Sequence, residues 1–219
     1  MEPGEHWESV YRTFPVTRVG WYREHLTCSL RLIESAALGR DAAIIDVGGG
    51  ASTLVADLLD AGYSALTVAD LSPSALKQAR RRLGGRADAV TWLAIDVTAA
   101  GDALPEHAYD LWHDRAAFHF LTTEQARSAY IAAAARALKP GGRLVIGTFA
   151  EDGPAECAML PVIRYTPVTL RAEFAEAFDL VAVDAEEHCT PDGVIQPYCY
   201  CVLRRRGVPS SGDGRGGHT

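Results

Sequence analysis

The chain has 219 residues, 48% of them hydrophobic and 22% charged, with a formal net charge of −7. That length supports one sizeable core, and the acidic balance argues against a nucleic-acid partner, which selects a basic face. No apolar run approaches the roughly 20 residues of a membrane span, and the polar, acidic start Met1–His6 suits neither a signal nor a transit peptide. No membrane partner and a cytoplasmic location are therefore expected. Abundant alanine and arginine suggest a GC-rich bacterial genome. The five cysteines are odd in number and lack paired Cys-x-x-Cys spacing, so neither a disulfide framework nor a zinc ribbon is expected, and no metal site.

In chain order, an N-terminal helical extension covers residues 1–39. Its aromatics Trp7, Tyr11, Phe14, Trp21 and Tyr22 precede Leu26, Leu30, Ile33 and Ala37 at helical spacing, with Gly39 placed to cap the end. From residue 40 the pattern becomes strand, turn, helix, repeated. Residues 43–47 read as a strand, 52–61 as a helix, and 65–69 as a second strand closed by Asp70. Ser72-Pro73 starts the next helix, which runs to Leu83 and stops at Gly84-Gly85. Residues 90–95 and 109–113 are strands three and four. Thr122 to Gln125 has capping-box spacing before a long helix, which Lys139-Pro140-Gly141-Gly142 ends ahead of a fifth strand at 143–149. A helix near 168–177 follows. Strands at 180–186 and 197–203 flank the turn Pro191-Asp192-Gly193 and, lacking a crossover, should pair antiparallel. The fold class is thus α/β, a doubly wound, mostly parallel seven-stranded sheet with a C-terminal antiparallel hairpin. It occupies residues 40–206, and the Gly/Ser-rich stretch 207–219 reads as a disordered tail.

Chemistry concentrates at the carboxyl ends of the strands, where open α/β sheets bind ligands. Asp46, Asp70, Asp96 and Asp114 all fall there. The first strand ends in Asp46-Val47-Gly48-Gly49-Gly50, a turn that brings backbone close to a nucleoside. Asp70 follows Gly48 by 22 residues, the spacing of an acid that holds a ribose. A nicotinamide dinucleotide site would share that acid but favours Gly-x-Gly-x-x-Gly, and Thr53 stands where its last glycine belongs. No Gly-Lys-Ser or Gly-Lys-Thr marks a P-loop.

These features, with Asp96-Val97 after strand three, Tyr109-Asp110 entering strand four and Leu138-Lys139-Pro140-Gly141-Gly142 before strand five, resemble the Rossmann-like class I S-adenosylmethionine (SAM)-dependent methyltransferases over residues 40–205. The resemblance implies a transferase with SAM as cofactor and S-adenosylhomocysteine as product. It places Asp46, Gly48, Gly49 and Gly50 by the methionine part, Asp70 on the ribose hydroxyls, and Leu71, Asp96 and Val97 around the adenine. Ser52 departs from the third glycine of many members and is placed to cap a helix instead.

The segment after strand four, Trp112–Phe120, is dense in ionisable and aromatic groups. Asp114-Arg115 followed by a small residue is similar to a motif of thiopurine-type small-molecule methyltransferases, in which the arginine lies beside the acceptor. Methyl transfer needs alignment and exclusion of water, and a proton acceptor only for acceptors not already ionised. His113 or His119 is placed to be that base, His113 also beside the cofactor, with Asp114 orienting either. Arg115 can hold a substrate carboxylate. Tyr11, Trp21 and Tyr22 are candidate substrate contacts, since aromatic faces attract sulfonium or ammonium; Arg164 and Tyr165 follow strand five and can border the same pocket. The expected function is methylation of a small-molecule thiol or amine. The alternatives are protein-lysine methylation, suggested by the N-terminal aromatics, and a non-catalytic SAM-binding regulator.

Overall fold

The computed structural model describes residues 3–207; most of the expected tail lies outside that range. Strands β1 (Ala43–Val47), β2 (Ala65–Asp70), β3 (Val90–Ala94), β4 (Tyr109–Arg115), β5 (Leu138–Phe149), β8 (Phe178–Cys189) and β9 (Ile195–Arg205) form one sheet in the order β3-β2-β1-β4-β5-β9-β8. The first five are parallel, and β9 runs antiparallel to both β5 and β8. A small separate hairpin joins β6 (Glu156–Cys157) and β7 (Leu160–Pro161). The strand order reverses between β1 and β4, which opens a crevice at their carboxyl ends.

Neighbouring apolar residues serve opposite faces. Ile44 and Leu111 pack toward helices α2 (Thr27–Ser35), α3 (Leu54–Asp60) and α4 (Pro73–Leu83), through Leu32, Leu54, Leu58 and Leu76. Ile45 and Trp112 pack toward α5 (Glu124–Ala137) and α6 (Pro167–Phe174), through Tyr130, Ala134, Leu170 and Phe174. Both faces are covered, so the strands read as continuous apolar runs rather than alternating ones. Each large side chain fully buried this way contributes about 1.5–3 kcal/mol.

Several boundaries differ from the sequence expectation. The N-terminal extension includes two α-helices, α1 (Pro3–Thr13) and α2, and α2 ends at Ser35 with Ala37, not Gly39, in the left-handed region at φ 52°. The cap of α5 is Thr123, whose side chain accepts from the Ala126 N–H, so the box expected at Thr122 is displaced by one residue. Residues 139–142 are not a free turn. They form an irregular start to β5, where the register against β4 shifts. The last two strands are longer than expected because they continue pairing beyond the sheet's core. Ser72 caps α4 through the Ala75 N–H, as its sequence predicts. No described helix is long and apolar enough to cross a membrane.

Candidate functional site

The turn after β1 is held open by glycine. Gly48 has φ +65°, and a Cβ there would overlap the Ala117 side chain. Gly50 has φ +43°, and a Cβ there would stand 2.8 Å from Asp70 Oδ2 and 2.9 Å from the Tyr11 hydroxyl. Only glycine accepts that backbone and that crowding. Ser52 accepts the Leu54 N–H at 3.1 Å, but the N-cap of α3 is Thr53, one residue later, so Ser52 is not the cap its sequence position suggests.

A cavity of about 360 Å³ runs along the carboxyl rim. Asp70, Leu71, Asp96 and Val97 line its floor at β2 and β3, Arg115 to Ala117 line it after β4, and Cys157 and Leu160 close one side. His6 and Trp7 of α1, with Tyr11 and Trp21, cover it. A smaller cavity of about 40 Å³ lies over the end of β1, against Asp46, Gly48, Gly49, Tyr22 and His113. Tyr11, Trp21, Gly48 and Arg115 border both.

Helix α1 is fastened beside the floor. Glu8 accepts from the Ser72 hydroxyl at 2.7 Å and the Ser74 N–H at 3.0 Å, at the start of α4. These bonds draw the Glu8 carboxyl below its ordinary range, the Ser74 hydroxyl contributing most. Gln78 donates to the Tyr11 carbonyl. Across the cavity Trp7 meets Phe120 edge-on at 4.9 Å and Trp21 at 5.6 Å, and Trp21 Nε1 donates to the Tyr11 hydroxyl at 3.2 Å.

The four rim acids have different surroundings. Asp70 accepts the Ser72 N–H at 2.7 Å and lies in the cavity wall. Burial raises its pKa to about 7, with the Asp46 and Glu8 charges adding to it against hydrogen bonds from Ser72 and Gly50. Asp96 accepts from the Thr98 N–H and hydroxyl and lines the same cavity. Asp46 is bonded to His113 Nδ1 at 2.7 Å, while its Oδ2 has no partner. Asp114 is fully buried and accepts the Ala117 and Phe118 N–H groups and the Tyr130 hydroxyl, the last at 2.6 Å. Burial raises its pKa to about 6 against those bonds. It lines neither cavity; it fixes the loop that carries Arg115 to Phe120.

Neither histidine expected near strand four reaches the large cavity. His113 has both ring nitrogens engaged, the second at 2.9 Å from the Ser29 hydroxyl, and borders only the smaller space. His119 Nδ1 accepts the Phe149 N–H at 3.2 Å, so its proton sits on Nε2 and no lone pair is left for a base. Burial, then the Arg115 charge, lowers its pKa to about 3. Tyr165 is buried against Phe118, and Arg164 donates to the Gly153 carbonyl; neither lines a cavity.

Arg115 is the best-framed group in the site. Its Nε donates to the Tyr200 hydroxyl at 3.0 Å, with Glu186 at 3.4 Å, and Nη1 donates to the Trp21 carbonyl. The guanidinium lies 4.4 Å from the centre of the Tyr198 ring. Nη2 is buried without a partner. Burial alone would weaken its charge, but Tyr198, Tyr200 and Glu186 outweigh that and keep it protonated. Sequence reading missed this frame, along with Glu8 and Phe120. The one available signal was Tyr198 and Tyr200 two apart on β9, hence on one face.

Residues 45–144 match a protein-family model described as "Methyltransferase domain". A segment of 81 residues is 33% identical to the mouse (Mus musculus) EEF1A lysine methyltransferase 2, covering 33% of this chain and 33% of that protein. The chain thus spans about a third of the length of that curated relative. Among solved structures, one described as converting a disulfide bond into a thioacetal group during echinomycin biosynthesis superposes with a TM-score of 0.77, at 22% identity over 93% of each chain. The Burkholderia thailandensis 1,6-didemethyltoxoflavin-N1-methyltransferase, solved with its substrate and S-adenosylhomocysteine, gives 0.64 at 24% identity over 93% of this chain and 84% of that one. The sheet and its strand order are those of the class I methyltransferase fold.

Proposed function

We propose that this protein is a SAM-dependent methyltransferase acting on a small-molecule nucleophile. One observation carries the reading. A single cavity joins the two open rim acids, Asp70 and Asp96, to the unpartnered guanidinium nitrogen of Arg115 beneath an aromatic cover. The residues fit the cofactor: the glycine turn has no room for a Cβ, and Asp70 is placed to accept from two ribose hydroxyls. Leu71 and Val97 supply the apolar walls for the adenine, and Asp96 an acceptor for its amino group. Asp46 Oδ2, buried and unpartnered, suits the amino group of the methionine part.

SAM supplies a methyl group already activated by its sulfonium. The chain's own work is to align the acceptor and exclude water. Trp7, Tyr11, Trp21 and Phe120 close over the cavity. Arg115, held by Glu186, Tyr200 and Trp21, offers Nη2 to a carboxylate or another electron-rich group of the acceptor. A second cation next to that guanidinium is disfavoured, which argues for an anionic or neutral acceptor over an ammonium. Protein-lysine methylation stays as the second reading because of the lysine methyltransferase relative.

Transfer of label from SAM into a cell extract, separated by molecular weight, tests this. Label in the small-molecule fraction, lost with Asp70→Ala, supports the proposal. Label in a protein band replaces it with the second reading. Intact SAM binding with no label anywhere makes the protein a binder without turnover.

A further inference from the structure

Two residues that line the large cavity each carry a buried nitrogen without a partner. One is Arg115 Nη2. The other is Nε2 of His6, which enters from α1. Of the described histidines, His6 alone lines that cavity. Its ring stands edge-on to Trp7 at 5.4 Å, and Trp7 in turn meets Phe120, in the segment after β4. His6 therefore stands beside Trp7 in the cover of the cavity. A buried ring nitrogen without a partner is costly unless something in the cavity satisfies it.

Resting on the methyltransferase reading, we infer that His6 takes the proton from the methyl acceptor. With the Nδ1–H tautomer, Nε2 presents its lone pair to the acceptor's N–H, O–H or S–H. The bond that forms joins the acceptor atom to the methyl carbon. The bond that breaks is carbon to sulfur, and its electron pair stays on sulfur. The proton leaves the acceptor for His6 Nε2 and then passes to solvent.

The other titratable or charged groups facing this cavity are Tyr11, Asp70, Asp96, Arg115, Tyr130 and Cys157. Burial raises Tyr11, Tyr130 and Cys157 above their ordinary values, Cys157 to about 11, so these three keep their protons. Arg115 stays charged. Asp70 and Asp96 already accept hydrogen bonds from Ser72 and Thr98. On the proposed reading Asp70 and Asp96 are engaged by the cofactor, which leaves His6 Nε2, without a partner, as the acceptor.

The test compares His6→Gln and His6→Ala with the unaltered protein. Labelled SAM and the pooled small-molecule fraction of a cell extract supply methyl and acceptors. S-adenosylhomocysteine affinity is measured by calorimetry on the same samples. In His6→Gln, transfer at neutral pH should fall about 100-fold or more, with S-adenosylhomocysteine affinity within twofold. Imidazole should restore part of the rate to His6→Ala. Unchanged transfer, or an equal loss of S-adenosylhomocysteine binding, would overturn the inference. If the unaltered protein transfers no label, the methyltransferase reading fails first, and His6 loses its role with it.

Discussion

Asp70 and Asp96 stand in the wall of the large cavity, whereas Asp46 reaches only the smaller one and Asp114 neither, although all four lie at the same edge of the sheet. What separates them is the identity of the neighbours. On the β2–β3 side Ser72 and Thr98 satisfy the carboxylates locally, and both acids still face the large cavity. On the β1–β4 side His113 takes one oxygen of Asp46 and leaves Oδ2 unpartnered, while Tyr130 and two backbone N–H groups occupy Asp114. Position on the rim therefore offers a ligand site, and the partners decide whether a carboxylate keeps it.

The largest expected effect is on the β1–β4 side. Asp114→Ala leaves the Tyr130 hydroxyl and two backbone N–H groups without their acceptor in a fully buried place. It should cost about 3–5 kcal/mol of stability, read as a lowered midpoint in urea with an unchanged slope. Asp114→Asn should cost less, because its oxygen still accepts from Tyr130. If Asp114→Ala kept full stability and lost only turnover, the division between the two pairs would collapse.

Next comes the β2–β3 side. Asp70→Ala should weaken S-adenosylhomocysteine about 100-fold, since two charge-assisted hydrogen bonds are lost at roughly 1.5–3 kcal/mol each and water recovers part of that. Thermal stability of the free protein should not fall. On the proposed reading Asp96→Ala removes one bond to the adenine and should weaken binding only about fivefold to tenfold, measured by the same calorimetry. Equal losses at Asp70 and Asp96 would mean that the two floor acids do not divide ribose and base between them.

This contrast also explains what the sequence reveals. The strands and the helix starts at Ser72-Pro73 and the glycine turn are local signals, written in a few adjacent residues, and they survive folding unchanged. The floor of the cavity is legible for the same reason, since Asp70, Leu71, Asp96 and Val97 belong to strand ends. The rest of the cavity is assembled from α1, the loop after β4 and the β6–β7 hairpin, so no short motif announces it. His119 looked available beside Phe118 and Phe120, yet its ring accepts a backbone N–H from β5, thirty residues away in sequence. Arg115 was identifiable by its neighbour Asp114, but the Glu186 and Tyr200 that orient it come from the last two strands.

The subtlest prediction concerns protons. Asp70 and Asp114 titrate at about 7 and about 6 in the folded protein, against about 4 when unfolded. Between about pH 4 and 7 the folded state therefore binds more protons than the unfolded one, and these two groups make stability fall as pH rises through that window. Ribose hydroxyls donate to the charged carboxylate, so they draw the Asp70 pKa back down. Binding S-adenosylhomocysteine at pH 7 should then release about half a proton, and affinity should rise about twofold from pH 7 to 8. Calorimetry in buffers of different ionisation enthalpy reads the released proton directly. Asp70→Asn should abolish the release while Asp114→Asn leaves it in place, because only the first of these acids faces the ligand; release that persists in Asp70→Asn would assign the proton to another group and remove Asp70 from the ribose.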